Sequence, residues 1–413
     1  MTLKDKPVFG HALRSKFFLE PDYTPLNHGS FGVTPRCIHP ILHELQQRSE
    51  VHPDRWLRRE MFPLLQRSLD RLASLVHCDL EELVFVANAT YGVNSVVRSL
   101  PLTPGDKVLC FNTLYNAVER TMAFLKDARQ AELVIVDLAY PLTDQEILNI
   151  TREVIEREVA KGGSPLRMAM FDAISSVPGV RFPYEAMVKL VREYGILSVV
   201  DGAHAIGQIP LNLHESDPDF FITNCHKWLY SPRASALLYV PKRNQHLVHP
   251  SLINAAYKDH SDPSDRTSTF QAEFAWPGTN DFSAFMCIEA ALNFRESLGG
   301  ETAIQEYCNK LALDGGKVVA EIFGTEVLEN EEGTLTVHMV NVRLPLSSPK
   351  IPDEKVPDYF IDKLIYEHNT CASVYKHAGR WYVRMSAQTY LEVDDFKYCA
   401  EAILKVCKEL ESI

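Results

Sequence analysis

Ile196-Leu-Ser-Val-Val-Asp201-Gly-Ala-His204-Ala and, after a connector, Asp219-Phe-Phe-Ile-Thr-Asn224-Cys-His226-Lys227 decide how this chain reads. Each half is a short apolar run that ends in polar residues. Apolar runs of this length read as buried strands. Asp201 and His204 fall just past the first strand, and Thr223, Asn224, His226 and Lys227 at the end of the second. In an open α/β sheet, ligands bind at the carboxyl ends of the strands. A carboxylate, an imidazole and a lysine delivered to one such edge suggest a pyridoxal 5'-phosphate (PLP) site. The lysine would form a Schiff base and the aspartate would pair with the pyridinium nitrogen.

Working outward, five more apolar runs, at 83–87, 107–111, 133–137, 168–172 and 236–240, join 196–200 and 219–222 to make seven expected strands. Helix-like stretches such as 144–160 and 184–194 separate several of them, which predicts a mostly parallel sheet with helices on both faces. Before the first strand, Leu57, Met61, Leu64, Leu65, Leu69, Leu72 and Val76 recur at helical spacing, with Pro63 marking an early turn or a kink. From about residue 283 the texture changes. Helices are expected at 283–297, 302–323 and 394–410, strands at 334–344, 371–375 and 381–385, and a proline-rich loop at 345–357. That pattern predicts a smaller C-terminal α+β domain. The expected division is an N-terminal arm and active-site segment (1–50), a large PLP-binding domain (51–282) and the small domain (283–413).

The chain has 413 residues, 46% hydrophobic and 23% charged, with net charge −12. It has no basic block, which argues against nucleic acid or an anionic membrane as main partner. No apolar run reaches the roughly 18–20 residues that span a bilayer. The opening Met1-Thr-Leu-Lys-Asp-Lys-Pro lacks the apolar core of a signal peptide. Nine scattered cysteines with no Cys-x-x-Cys pair imply free thiols in a reducing compartment, so a cytoplasmic location is expected. His-Glu-x-x-His, Gly-x-Ser-x-Gly and Gly-x-Gly-x-x-Gly do not occur, leaving metal-dependent, serine-hydrolase and dinucleotide readings without support.

Each candidate has a plainer reading beside it. A free lysine, with a pKa of about 10.4, is a poor nucleophile at neutral pH. A Schiff base solves that for Lys227, which a surface role would not need. Asp201 reads as the ring-nitrogen partner or as the N-cap of Gly-Ala-His-Ala. His204 reads as a donor to the cofactor's phenolic oxygen or as a packed histidine. Asn88-Ala89-Thr90 lies between a strand and a helix, where backbone N–H groups can hold a phosphate or Asn88 can simply cap. Tyr115 can stack on a flat ring or pack in a core. Ser175-Ser176 can donate to the cofactor or lie in a loop. Arg384, on an apolar strand, needs an anion: a substrate carboxylate or an internal salt bridge.

Six pieces together, Leu26-Asn-His-Gly-Ser-Phe-Gly, Asn88-Ala-Thr, Asp201-Gly-Ala-His-Ala, Asn224-Cys-His-Lys-Trp-Leu, Trp276-Pro-Gly-Thr-Asn-Asp and Val383-Arg-Met-Ser, resemble the class V aminotransferase family of fold-type I PLP enzymes. The family includes cysteine desulfurases, isopenicillin N epimerase and the hercynylcysteine sulfoxide lyases of ergothioneine synthesis. The resemblance runs from about Leu26 to Ser386. It implies Lys227 as the Schiff-base lysine, Asp201 at the ring nitrogen, His204 and Ser176 near the phenolic oxygen, and Tyr115 in the stacking position. Ala89, Thr90, Asn224 and His226 fall on phosphate positions. Arg384, with Asn27 nearby, matches the substrate-carboxylate arginine. Thr279 matches a residue the partner subunit supplies, which implies a homodimer.

There are departures. Cys371 lies where desulfurases carry a persulfide cysteine, but its spacing to Arg384 and its flanks fit poorly. Desulfurases also usually have glutamine at the position of His204 and histidine at that of Tyr115. The Asn-His-Gly-Ser and Asn-Cys-His-Lys-Trp runs are closer to the epimerase and sulfoxide-lyase branch. The expected activity is therefore a carbon–sulfur lyase performing β-elimination on an S-substituted cysteine or its sulfoxide, releasing pyruvate and ammonia. An amino-acid epimerase and a cysteine desulfurase are the alternatives.

Overall fold

A computed structural model describes residues 8–257 and 270–412. The first seven residues, on which the signal-peptide reading rests in part, lie outside it. All seven expected strands form: β1 Leu83–Val86, β2 Lys107–Phe111, β3 Glu132–Val136, β4 Leu166–Asp172, β5 Leu197–Asp201, β6 Phe220–Asn224 and β7 Ala236–Tyr239. Their order across the sheet is β1-β7-β6-β5-β4-β2-β3, and β7 alone runs against its neighbours.

Both faces of this sheet are buried, which is why its strands read as nearly continuous apolar runs. Alternation along β4 shows it: Met168 and Met170 enter one core, Ala169 and Phe171 the other. On the first face lie the helices α2 (Ala89–Ser99) and α3 (Asn116–Arg129), which bury Val93, Val96, Val97, Val118, Met122 and Leu125. On the second lie α4 (Asp144–Lys161) and α5 (Tyr184–Glu193), with Ile147, Val154, Ile155, Met187, Val188 and Val191. A capping box between Thr143 and Glu146 starts α4, and Gly162 ends it.

The helix before β1, α1 (Met61–Val76), holds Pro63 in its first turn and is preceded by a π-helical turn, Trp56–Glu60. Of the two expectations for Pro63, an early turn or a kink, the early turn is the one seen; Pro63 has no N–H to return to the preceding turn, which is widened.

In the C-terminal part, β8 (Met339–Arg343), β9 (Ser373–His377) and β10 (Arg380–Ser386) form an antiparallel sheet in the order β9-β10-β8. The helices Gly300–Phe323, Val356–Tyr366 and Val393–Ser412 share its apolar core. Two expected strands are shorter or displaced. Residues 334–338 do not join β8, because Asn330 accepts from the Thr334 N–H and Glu329 from those of Leu335 and Thr336. Thr370–Cys371 pairs instead with Thr24–Pro25, so β9 begins only at Ser373.

Leu13, Phe17 and Leu26 enter the C-terminal core alongside Val383, Met385 and Tyr390. The turn His28–Phe31 then reaches the end of β6. Gly32 makes this possible: it has φ +65°, and a Cβ there would lie 1.8 Å from the His226 carbonyl oxygen. His28 donates from Nε2 to the Lys227 carbonyl at 2.8 Å, and its Nδ1 meets the Tyr390 hydroxyl at 2.8 Å. All nine cysteines are unpaired. Among the described residues no helix is long and apolar enough to cross a membrane.

Candidate active site

The carboxyl ends of β4, β5 and β6 and the start of α2 enclose a cavity of about 190 Å³. Lys227, Asp201, His204, Asn224, His226, Ala89 and Thr90 line it, together with Tyr115 and Ser176. The parallel register sets Asp201 beside Asp172 at the end of β4. Asp201 lines the cavity, and its Oδ1 accepts from the Ala203 N–H at 2.9 Å within a turn; no helix starts here for it to cap. Asn224 Oδ1 accepts from the Ala89 N–H at 2.9 Å, and Asn88 caps α2 through the Tyr91 N–H at 2.9 Å. The His226 ring donates from Nδ1 to the Ser235 carbonyl at 2.8 Å, which fixes its plane at the cavity wall. Lys227 Nζ stands 3.0 Å from His204 Nε2, and the Trp228 indole N–H points at His204 Nδ1 at 3.3 Å.

Burial dominates the electrostatics. It lowers Lys227 to about 8, with Asp201 and Asp172 opposing and Arg384 adding to the drop. Burial and the charges of Lys227, Arg384 and His226 hold His204 well below the usual histidine range, so its ring is neutral. Burial also raises Asp201, against the Ala203 N–H and Lys227. Asp172 is pushed well above the carboxylate range by burial and by Asp201, with Lys227 opposing.

Arg384, on β10, and Asn27 do not line the cavity; Arg384 lies behind two residues that do, Ser30 and Ser176. It donates to the Ser176 carbonyl (3.0 Å) and hydroxyl (3.2 Å), Asn27 Oδ1 (2.8 Å), Ser30 Oγ (3.0 Å) and Ser373 Oγ (3.1 Å). Its Nε is buried without a partner. None of these partners is a carboxylate, and burial drags its pKa down to about 10. The internal salt bridge is thereby ruled out among the described residues.

The two loop serines separate. Ser176 faces the cavity, while Ser175 donates to the Pro178 carbonyl at 2.7 Å. Cys371 Sγ accepts from Asn27 Nδ2 at 3.6 Å, and burial raises its pKa. Thr279 is not brought to the cavity by its own chain. It is exposed and lines a separate surface hollow with Arg58, Arg59, Phe62 and Trp276.

Asp172, Ser30, Phe31 and Ser373 are residues of this region that sequence reasoning passed over. For Asp172 the signal was present: its apolar run ends in aspartate, as the run before Asp201 does. The donor set fits PLP. A lysine of depressed pKa and two buried carboxyl groups share the cavity with the N-terminus of an eleven-residue helix.

The sequence model described as aminotransferase class-V matches residues 57–350, and the chain belongs to that family. It is a PLP-dependent enzyme of the class V type. It is similar to the L-cysteine desulfhydrase-like protein lolT1 of Epichloe uncinata, at 32% identity over 99% of this chain and 98% of that one. It is equally similar to the hercynylcysteine sulfoxide lyase of Schizosaccharomyces pombe, at 32% identity over 98% of this chain and 100% of that one. Its fold matches that of a cysteine desulfurase from Thermococcus onnurineus NA1, with TM-score 0.77 and 17% identity over 97% and 99% of the two chains.

Proposed function

We propose that the enzyme is a carbon–sulfur lyase that performs β-elimination on an S-substituted cysteine or its sulfoxide. One observation carries this reading. Lys227, of depressed pKa, shares a cavity with Ser30 and Ser176, which hold an arginine that has no carboxylate of its own. A base and an anion site on either side of one cavity wall suit an α-amino acid. The names of the two relatives above, a sulfoxide lyase and a desulfhydrase-like protein, point to sulfur as the leaving atom.

In this reading PLP, joined to Lys227 when bound, withdraws electrons from the substrate's α-carbon. Asp201 would face the ring nitrogen. Ala89, Thr90, Asn224 and His226 would hold the phosphate, Tyr115 would stack on the ring, and His204 and Ser176 would lie near the phenolic oxygen. Arg384, oriented by Asn27, Ser30 and Ser373, takes the substrate carboxylate through paired N–H donors. Lys227 Nζ, freed when the substrate's amine takes its place on the cofactor, is the base for the α-proton. The Cβ–S bond breaks and sulfur leaves with the electron pair, as a thiolate or, from a sulfoxide, as a sulfenate. Addition of water to the remaining three-carbon fragment gives pyruvate and ammonia. Residues 51–282 form the cofactor-binding part, and Thr279 completes the partner's site in a homodimer.

Cys371 supports elimination over persulfide transfer. It lies in a strand paired with Thr24–Pro25 and accepts from Asn27, rather than standing on a loop. The test is a panel of S-substituted cysteines and their sulfoxides, hercynylcysteine sulfoxide among them, scored for pyruvate against α-deuterium exchange. Pyruvate release supports the lyase. Exchange with inversion and no pyruvate supports an epimerase instead. Full turnover by Lys227→Ala would overturn both.

A further inference from the structure

We propose that Trp228 fixes the tautomer of His204 and, through it, biases Lys227 toward the neutral amine. The inference rests on Lys227 being the cofactor lysine, and it follows from counting hydrogens. An indole nitrogen only donates. The Trp228 N–H meets His204 Nδ1 at 3.3 Å, so Nδ1 must present its lone pair. A neutral imidazole has one N–H, which must then be on Nε2. His204 Nε2 lies 3.0 Å from Lys227 Nζ. Two donors cannot share a hydrogen bond, so Nζ accepts, and only an –NH2 group has the lone pair to do so.

The alternative has a cost. A Lys227 ammonium needs Nε2 as acceptor, which moves the imidazole N–H to Nδ1, against the indole N–H. One buried hydrogen bond is then lost outright. The donor cannot swing aside to avoid this. Trp228 is 1% exposed, and its ring lies 5.1 Å from that of His28 and 5.5 Å from that of His338. Its carbonyl accepts from Arg295 Nη1 at 2.5 Å, and Gly207 packs so closely that a Cβ there would come 2.8 Å from that carbonyl oxygen.

The charges around the pair divide. Asp201 and Asp172 favour the ammonium, while Arg384 favours the amine; His226 and Arg384 also keep His204 neutral. Trp228 adds a directional bias that no charge supplies. Capture of an aldehyde requires the amine, so Trp228 is a positioning residue for cofactor loading and for the base.

The experiment uses the full-length protein stripped of PLP. Pyridoxal 5'-phosphate is added across the neutral to alkaline range, the covalent product is trapped by borohydride, and the modified peptide is identified by mass spectrometry. Trp228→Phe keeps an apolar ring and deletes the N–H. Its capture midpoint is expected to move to higher pH, with capture at neutral pH slowed roughly three- to ten-fold, the worth of one hydrogen bond. An unchanged midpoint in a folded Trp228→Phe protein overturns the proposal. Should that variant not fold, nitrogen-15 spectra of histidine in the unsubstituted protein decide the matter. A protonated Nε2 and bare Nδ1 at His204 uphold the relay, and a protonated Nδ1 overturns it. If Lys227 captures no PLP even in the unsubstituted protein, the functional reading fails, while the histidine spectra still decide the relay.

Discussion

Two arginines in this molecule are buried to the same degree, 1% exposed each, and they could hardly be used more differently. Arg295 pairs with Glu301 through two contacts of 2.5 and 2.6 Å and donates to the carbonyls of Trp228 and Gly207. Burial opposes its charge, but the Glu301 carboxylate outweighs that and holds its pKa above the ordinary value. Arg384 has five neutral acceptors, no carboxylate and an orphaned Nε, and burial wins. A buried cation without its anion destabilises a fold. One arginine is finished by the chain itself. The other has no anion among the described residues, and in the proposed function that gap is the place of the substrate carboxylate.

The sharpest way to break this comparison is Arg384→Leu. Loss of a buried, charge-assisted pair costs about 2–5 kcal/mol. Steady-state kinetics should therefore show kcat/KM lower by roughly 10²- to 10³-fold, with the fold intact by circular dichroism. Near-normal kcat/KM would mean that the carboxylate binds elsewhere. The converse is Arg295→Met, which strands Glu301 and two carbonyls. Because Glu301 retains a quarter of its side-chain exposure, the loss should sit near the lower end of the buried-pair range, about 3 kcal/mol, read as a lower denaturant midpoint at unchanged slope. Equal stability losses in the two variants would erase the distinction drawn here. In the apo protein Arg384→Leu should be neutral or stabilising by about 1 kcal/mol, since it removes an uncompensated buried charge.

How far the sequence carried this picture follows the same divide between local and assembled features. The seven strands were legible because each is a run buried on both faces, with Asp201, Asn224 and Lys227 at or just beyond run ends. The class V family followed from six such local pieces. The surroundings of Arg384 were not legible beyond Asn27. Asn27 is 357 positions away along the chain, and Ser30 and Ser373 arrive through the Gly32 approach and the β9–β10 pairing. The neutral character of the whole shell appears only once all its members are assembled. Likewise 334–338 looked like strand, because nothing local shows that Glu329 and Asn330 will take those N–H groups.

Asp172 is the acidic counterpart of Arg384, a buried group whose charged form Lys227 offsets only in part against burial and Asp201. Its pKa is raised in the folded state, so the fold holds its proton more tightly than the unfolded chain does. Below the ordinary aspartate value both states are protonated and nothing is lost. As pH rises from there toward the folded value, stability falls. Asp172→Asn has no proton to lose, so it should be more stable than the parent at neutral pH, with the advantage vanishing toward acid. Denaturant midpoints at a series of pH values read this directly. Turnover should change by less than about tenfold, because the amide matches the neutral carboxyl group in size and polarity. A stability difference that grows toward acid would mean that Asp172 is ionised, and that Lys227 already has a committed counter-ion. The cavity would then resemble the closed Arg295 pair more than the open site around Arg384.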